Sequence, residues 1–271
     1  METKQLNTGA FMPPIGFGTW QIDNDAAYDA VLAALHAGYR MIDTARIYNN
    51  EVGVGYAIRN SGIARDELFV TTKLWNEDQG YEAALHAFDA SLERLGLDYV
   101  DLYLIHWPSS AKRLDSWRAL EEIYRSGRAR AIGVSNYTVT HLRELLKHTD
   151  ITPAVNQIEL HPLIYDEQLP IVEFCREQGI AVQAYSPLIK QGAVDHPTIV
   201  AIAERCGRSP AQVLLRWSIQ HGFVPLPRSR NPEHILENIA ISTFRLHDDD
   251  MRLLDAISDG TRVTPNPYLI D

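Results

Sequence analysis

Leu68-Phe69-Val70-Thr71-Thr72-Lys73-Leu74, the segment Tyr81–Gly96, and Val100-Asp101-Leu102-Tyr103-Leu104-Ile105-His106 read together as one strand–helix–strand unit. In the middle segment Ala84, Leu85, Phe88, Leu92 and Leu95 recur on one face at a 3.6-residue period, and Gly96 suits the position just past a helix end. The two flanking runs are too short for helices and largely apolar, as expected of strands buried on both faces. Parallel strands need such a crossover helix between them.

The alternation extends in both directions. Further strand candidates are Ile15–Thr19, Met41–Ala45, Ala131–Ser135, Ala154–Leu160, Ala181–Ser186 and Phe223–Pro227, which makes eight in all. Asp25–Gly38 reads as a helix closed by glycine. Ser209-Pro210-Ala211-Gln212 combines a capping serine, a first-turn proline and a capping-box glutamine, and Gly222 ends that helix. Asp248-Asp249-Asp250 precedes Met251, Leu254 and Ile257, so these carboxylates read as a helix start facing its dipole rather than as an interaction tail. Trp117 and Trp217 fall on helices and read as packing. Eight β/α units in 271 residues predict an α/β protein: one domain over residues 1–271, a single (β/α)8 TIM barrel with a short N-terminal hairpin and a short C-terminal tail. A doubly wound sheet would need a dinucleotide fingerprint. Gly16-Phe17-Gly18 has Gln21 at the third glycine position and Gly53-Val54-Gly55 has Ile58, and neither lies between a strand and a helix at the right spacing.

Composition narrows the function classes. The chain is 45% hydrophobic and 22% charged, values of a globular protein, and its net charge of -10 with scattered basic residues disfavours nucleic acid. Cys175 and Cys206 form no CxxC pair and no metal spacing, which points to a reducing compartment. The start Met1-Glu2-Thr3-Lys4-Gln5 carries no apolar leader, and no run approaches 18 apolar residues. The expectation is a monomeric cytoplasmic protein without a membrane partner.

In such barrels chemistry gathers where strands end at the C-terminal face. Strand two ends in Asp43, with Tyr48 just beyond; strand three carries Lys73 and ends before Trp75; strand four ends in His106-Trp107. An Asp–Lys pair on its own could simply lock the barrel. With Tyr48 and His106 added, the set suits protonation of a developing alkoxide: Lys73 would lower the phenol's pKa, Asp43 would hold Lys73, and His106 would orient a carbonyl oxygen. The chain shows no serine or cysteine triad, so an external hydride donor is the natural attacking group.

These residues sit in motifs. Asp43-Thr44-Ala45-Arg46-Ile47-Tyr48-Asn49-Asn50-Glu51, Thr72-Lys73-Leu74-Trp75-Asn76 and Leu104-Ile105-His106-Trp107-Pro108 resemble the aldo-keto reductase superfamily. So do Gly133-Val134-Ser135-Asn136-Tyr137, Val155-Asn156-Gln157-Ile158-Glu159-Leu160-His161-Pro162 and Tyr185-Ser186-Pro187-Leu188. The resemblance runs from about Leu6 to Ile257, one motif per strand; Ser61-Gly62-Ile63-Ala64-Arg65-Asp66 suggests the bacterial 2,5-diketo-D-gluconate reductase-like branch.

The resemblance implies a catalytic tetrad of Tyr48, Lys73, Asp43 and His106, and NADPH as cofactor, with NADH also conceivable. Ser135, Asn136 and Gln157 would hold the nicotinamide carboxamide, and Tyr185 would stack on the ring. Ser186 and Leu188 would follow the pyrophosphate, and Glu237 and Asn238 would reach the adenine. Arg228, Ser229 and His234 stand where relatives carry Lys, Ser and Arg for the 2′-phosphate, a departure that narrows the expected margin for NADPH over NADH. Trp20, Trp75 and Trp107, with His106, would line the substrate site, and the short tail after Arg262 suggests an open pocket. The implied activity is reduction of small carbonyls or keto sugars such as 2,5-diketo-D-gluconate or methylglyoxal. Two alternatives stay open: a non-catalytic NADP(H)-binding or structural protein on the same barrel, and a metal-dependent barrel hydrolase, although His106 lacks partners at ligand spacing.

Overall fold

The computed structural model describes residues 3–108, 112–189 and 194–269. It opens with an antiparallel hairpin, β1 (Lys4–Gln5) and β2 (Phe11–Met12). There follow β3 (Phe17–Gly18), α1 (Asn24–His36), β4 (Met41–Asp43), α2 (Glu51–Asn60), β5 (Phe69–Leu74) and α3 (Tyr81–Leu95). Next come β6 (Leu102–Ile105), α4 (Arg113–Arg125), β7 (Ile132–Ser135), α5 (Val139–Leu146), β8 (Val155–Glu159), α6 (Tyr165–Glu177) and β9 (Ala181–Tyr185). The chain finishes with α7 (Pro197–Cys206), α8 (Pro210–Gln220), β10 (Val224–Pro225), α9 (Pro232–Ile239) and α10 (Asp248–Asp255). Strands β3 to β10 lie in chain order, each parallel to the next.

The two ends of this sheet meet. Gly16 N–H donates to the Pro225 carbonyl at 3.0 Å and Gly18 N–H to the Pro227 carbonyl at 2.9 Å, which closes the barrel. A Cβ at Gly18 would lie 3.2 Å from the Leu226 carbonyl oxygen, so the seam needs a residue without one. Pro225 and Pro227 offer carbonyls but no N–H groups, and β3 and β10 are accordingly shorter than the sequence runs predicted. The other glycine pair has a packing role. A Cβ at Gly53 would collide with the Asn24 carbonyl and one at Gly55 with the Leu95 carbonyl, so both let α2 press against its neighbours.

The core has two layers. One lies between strands and helices and includes Phe17, Val70, Phe88, Trp117, Ile132, Val182 and Trp217. The other fills the barrel, where Leu6 and Met12 of the hairpin segment pack on Met41, Phe69, Leu102, Leu104, Val155, Val224 and Leu226. The hairpin therefore plugs the end at which the strands begin, leaving their C-terminal ends to form a site. The capping box at Ser209 and Gln212 is present. The acidic run opens a helix as expected, with Asp248, Asp249 and Asp250 in the first turn of α10, although no side chain caps it and Asp250 is buried against Arg205 of α7. No helix among the described residues is long and apolar enough to cross a membrane.

Candidate active site

Several barrel strands deliver polar residues to the same rim. Asp43 ends β4, a 3-10 turn (Arg46–Tyr48) after it presents Tyr48, Lys73 lies near the end of β5, and His106 follows β6. Lys73 is fully buried, and its Nζ donates to Asp43 Oδ1 at 2.5 Å, to the Thr44 carbonyl at 2.9 Å and to Tyr48 Oη at 3.4 Å. On the far side of the phenol, His106 Nε2 lies 3.5 Å from Tyr48 Oη. Trp75 meets the His106 ring edge-on at 5.3 Å between centroids.

Burial of the hydroxyl end pushes the Tyr48 phenol well above its ordinary value, and the Asp43 carboxylate pushes the same way. The Lys73 ammonium, 3.4 Å from Tyr48 Oη, favours the phenolate without outweighing them; burial depresses Lys73 itself, while Asp43 draws it back up. Burial, with the nearby Lys73 charge, holds His106 well below the usual histidine range, so the ring is neutral near pH 7. The rim thus presents a protonated phenol between an ammonium and a neutral imidazole. That set can give a proton to an oxygen and stabilise the phenolate left behind.

A cavity of about 500 Å³ opens over this cluster. Trp20, Ile47, Trp75 and Trp107 line it with Tyr48 and His106, together with the polar groups of Ser135, Asn136, Gln157 and Tyr185 and with Ser186, Leu188 and Arg228. These polar groups are held in fixed orientations. Ser135 Oγ donates to the Gln157 carbonyl (2.8 Å), Asn136 Nδ2 donates to the His106 carbonyl (3.0 Å), and Tyr185 Oη donates to Asn136 Oδ1 (2.7 Å). Gln157 gives its amide protons to Asp43 Oδ2 and Gln183 Oε1, both at 2.8 Å. After Tyr185 the backbone turns left-handed at Ser186, with φ +51.

The remaining expected residues surround the first turns of α9. Arg228, on the cavity rim, and His234 are exposed; Ser229 is half-buried and accepts the Asn231 N–H, and Asn231 caps α9. Although Arg228 is exposed as a whole, partial burial of its guanidinium lowers it from its ordinary value, with a further contribution from the charge of Arg230. Glu237 is half-buried, and Asn238 is buried within α9. None of Ser229, His234, Glu237 and Asn238 lines the cavity itself.

Several residues escaped the sequence reading. Thr264 and Pro265 line the cavity, so the tail is a wall and the site is less open than its brevity suggested. Gln183 and Glu159 also belong to the network, and a polar residue in the middle of an apolar strand is the signal that could have found them. Among the described residues no group of three or more His, Cys, Asp or Glu side chains could hold a metal ion.

This geometry has close counterparts. A family profile described as the Aldo/keto reductase family matches residues 14–259. Glyoxal reductase of Bacillus subtilis (strain 168) is 51% identical over 267 residues, covering 98% of this chain and 96% of that protein. The crystal structure of an aldo-keto reductase enzyme from a Medee basin deep-sea metagenome library superposes with a TM-score of 0.95 at 42% identity, covering 99% of both chains. That of a Bombyx mori aldo-keto reductase in complex with NADP superposes with a TM-score of 0.91 at 36% identity, covering 97% of this chain and 94% of the other. The chain belongs to the aldo/keto reductase family.

Proposed function

We propose that this protein reduces small aldehydes and ketones to alcohols with NADPH, with Tyr48 as the proton donor. The observation that carries the reading is the convergence of Tyr48 Oη, Lys73 Nζ and His106 Nε2 beneath a cavity whose lining also includes Arg228. The groups present fit a nicotinamide dinucleotide. Asn136, Ser135 and Gln157 offer fixed polar groups at the height of the catalytic cluster, Tyr185 offers a ring beside them, and Arg228 with the start of α9 suits a phosphate. The cofactor supplies the hydride that adds to the carbonyl carbon.

The protein's own part is positioning and proton transfer. His106 Nε2, neutral, donates to the carbonyl oxygen and sets it against Tyr48 Oη. As the carbon gains hydride, the oxygen takes the Tyr48 proton, and the Lys73 ammonium faces the new phenolate. Asp43 balances that ammonium, and Gln157 anchors Asp43 in turn. The apolar tryptophan walls favour small carbonyls, in keeping with the name of the glyoxal reductase relative. Keto sugars such as 2,5-diketo-D-gluconate belong in the same test panel.

Tyr48→Phe removes the proton and little else. Its turnover of a small aldehyde should fall at least about 100-fold while NADPH binding, read by fluorescence quenching, stays within about threefold. A variant that keeps a tenth of wild-type turnover would exclude Tyr48 as the acid.

A further inference from the structure

Glu159 ends β8 in the barrel wall and is 1% exposed. A buried carboxylate is costly unless its oxygens are paired. One partner lies in the wall itself: His161 Nε2 is 3.1 Å from Glu159 Oε1 and donates to it. The others come from far along the chain. Val263 N–H donates to Oε1 at 2.6 Å, and the Thr264 hydroxyl donates to Oε2. Burial alone would raise the carboxyl, but the hydrogen bonds from His161, Thr264 and Val263 outweigh it and keep it below its ordinary value. Glu159 is therefore ionised near neutrality, and it holds the C-terminal tail by charge-assisted bonds.

The tail it holds is part of the site. Thr264 Oγ1 lies 2.9 Å from Tyr185 Oη, whose proton goes to Asn136 Oδ1, and Asn136 in turn bonds the His106 carbonyl. Thr264 has one proton to give. With Glu159 ionised that proton goes to the carboxylate, and Thr264 Oγ1 faces Tyr185 Oη as an acceptor, so the Tyr185 hydroxyl is held between two acceptors, Thr264 Oγ1 and Asn136 Oδ1. Upstream, Asp259 and Gly260 N–H groups both donate to the Leu163 carbonyl, so the chain reaches Glu159 already anchored beside α6.

We propose that Glu159 is a positioning residue: by gripping Val263 and Thr264 it latches the tail as a wall of the carbonyl pocket and aligns Tyr185 with Asn136. The inference rests on the reading of this cavity as a carbonyl-reduction site. It makes the short tail a specificity element, because carbonyl binding depends on a wall supplied by Thr264 and Pro265.

The test compares Glu159→Gln, Thr264→Val and a protein truncated after Arg262, with Glu159→Gln also combined with the truncation. Thr264→Val keeps the buried carboxylate with its His161 and Val263 partners, so it stays informative if Glu159→Gln folds poorly. The first readout needs neither cofactor nor substrate. Tyr268 and Leu269 are exposed in the tail, and chymotryptic cleavage there should run about tenfold faster in either variant, because a released segment opens more often. The second readout is kinetic. The carbonyl KM should rise about fivefold, the worth of one hydrogen bond, while kcat falls by less than about threefold. In the truncated protein, which no longer contains Thr264, Glu159→Gln should add no further KM effect, because the latch has nothing left to hold. Unchanged tail cleavage in both variants overturns the proposal, and so does a Glu159→Gln effect on KM that persists undiminished after truncation. If the wild-type protein reduces no carbonyl, the functional reading fails, and cleavage alone decides the latch.

Discussion

A phenol that must donate a proton has first to hold one, and Tyr48 is built that way: burial and Asp43 raise it, and Lys73 waits 3.4 Å away for the phenolate. In the proposed reaction Lys73 would stabilise the phenolate left by proton transfer, which is the same effect as lowering the phenol's pKa relative to a site without the ammonium. The same burial sets the cost of dismantling the pair. Lys73→Met leaves Asp43 charged and unpaired in the wall and should cost about 3–5 kcal/mol in urea unfolding, most of it restored in the Asp43→Asn/Lys73→Met double variant. Turnover should return in neither. If the double variant is no more stable than the single, the penalty is lost packing and not charge. His106 makes a separate prediction about pH. Its folded-state pKa lies well below 6.5, so acid protonates the unfolded chain first, and stability falls as pH drops below about 6.5. Between pH 7 and 5 the wild type should lose up to about 2 kcal/mol more than His106→Gln, as measured by urea unfolding at each pH. Equal losses in the two proteins would mean that the ring takes up its proton in the folded state as readily as in the unfolded chain. Residues such as Tyr48, Lys73 and His106 were legible because a strand end puts them on the rim. Glu159 and Thr264 were not, because their meeting joins positions 105 residues apart.

The elements were legible where their periodicity is strong and blurred where closure takes over. The α3 face and the Ser209 capping box stand as the sequence implied, since each is a local pattern with a local cause. β3 and β10 shrank to two residues each because their pairing is made at a seam of glycines and prolines, which no window of sequence contains. The glycines of α2 were visible as a motif, but their reason lies on two other helices. Gly55→Ala should therefore destabilise the protein even though alanine is the better helix former. Its Cβ meets the Leu95 backbone at the end of α3, so the net loss should reach about 1–3 kcal/mol, the usual cost of overpacking. Gly62→Ala is a useful contrast: it has open space but a left-handed φ of +73, so any loss there comes from backbone strain alone. The start of α9 carries the prediction on cofactor choice. Arg228 offers the fork that a phosphate needs, whereas His234 offers one donor where an arginine would offer several. Arg228→Gly should bring the kcat/KM values for NADPH and NADH together, and His234→Arg should widen the preference for NADPH. A ratio indifferent to both substitutions would place the phosphate elsewhere.

At the scale of the whole molecule the two ends of the barrel are joined through its interior. Asp43 at the rim bonds Gln157, and Gln157 bonds Gln183 inside the barrel. Gln183 Nε2 then donates to Met12 Sδ at 3.2 Å, with Met41 Sδ at 3.6 Å, so the N-terminal plug lies at the bottom of a chain that reaches Lys73 at the top. A thioether is a weak acceptor, but it is the one that turns the Gln183 carbonyl toward Gln157. That orientation matters, because Gln157 spends both amide protons downward and sideways and so presents its own carbonyl oxygen, as an acceptor, to whatever occupies the cavity. Met12→Ala removes buried thioether and should cost about 2–5 kcal/mol, and Leu6→Ala, cut from the same plug, should cost a comparable amount. The two differ in what else they disturb: the Leu6 side chain is purely aliphatic, whereas loss of the Met12 sulfur removes an acceptor of Gln183 Nε2. Met12→Ala should therefore weaken NADPH binding about fivefold beyond Leu6→Ala, read by fluorescence quenching on both folded proteins. Equal affinities would mean that the plug is only a plug, and that Gln157 is held well enough by Asp43 alone.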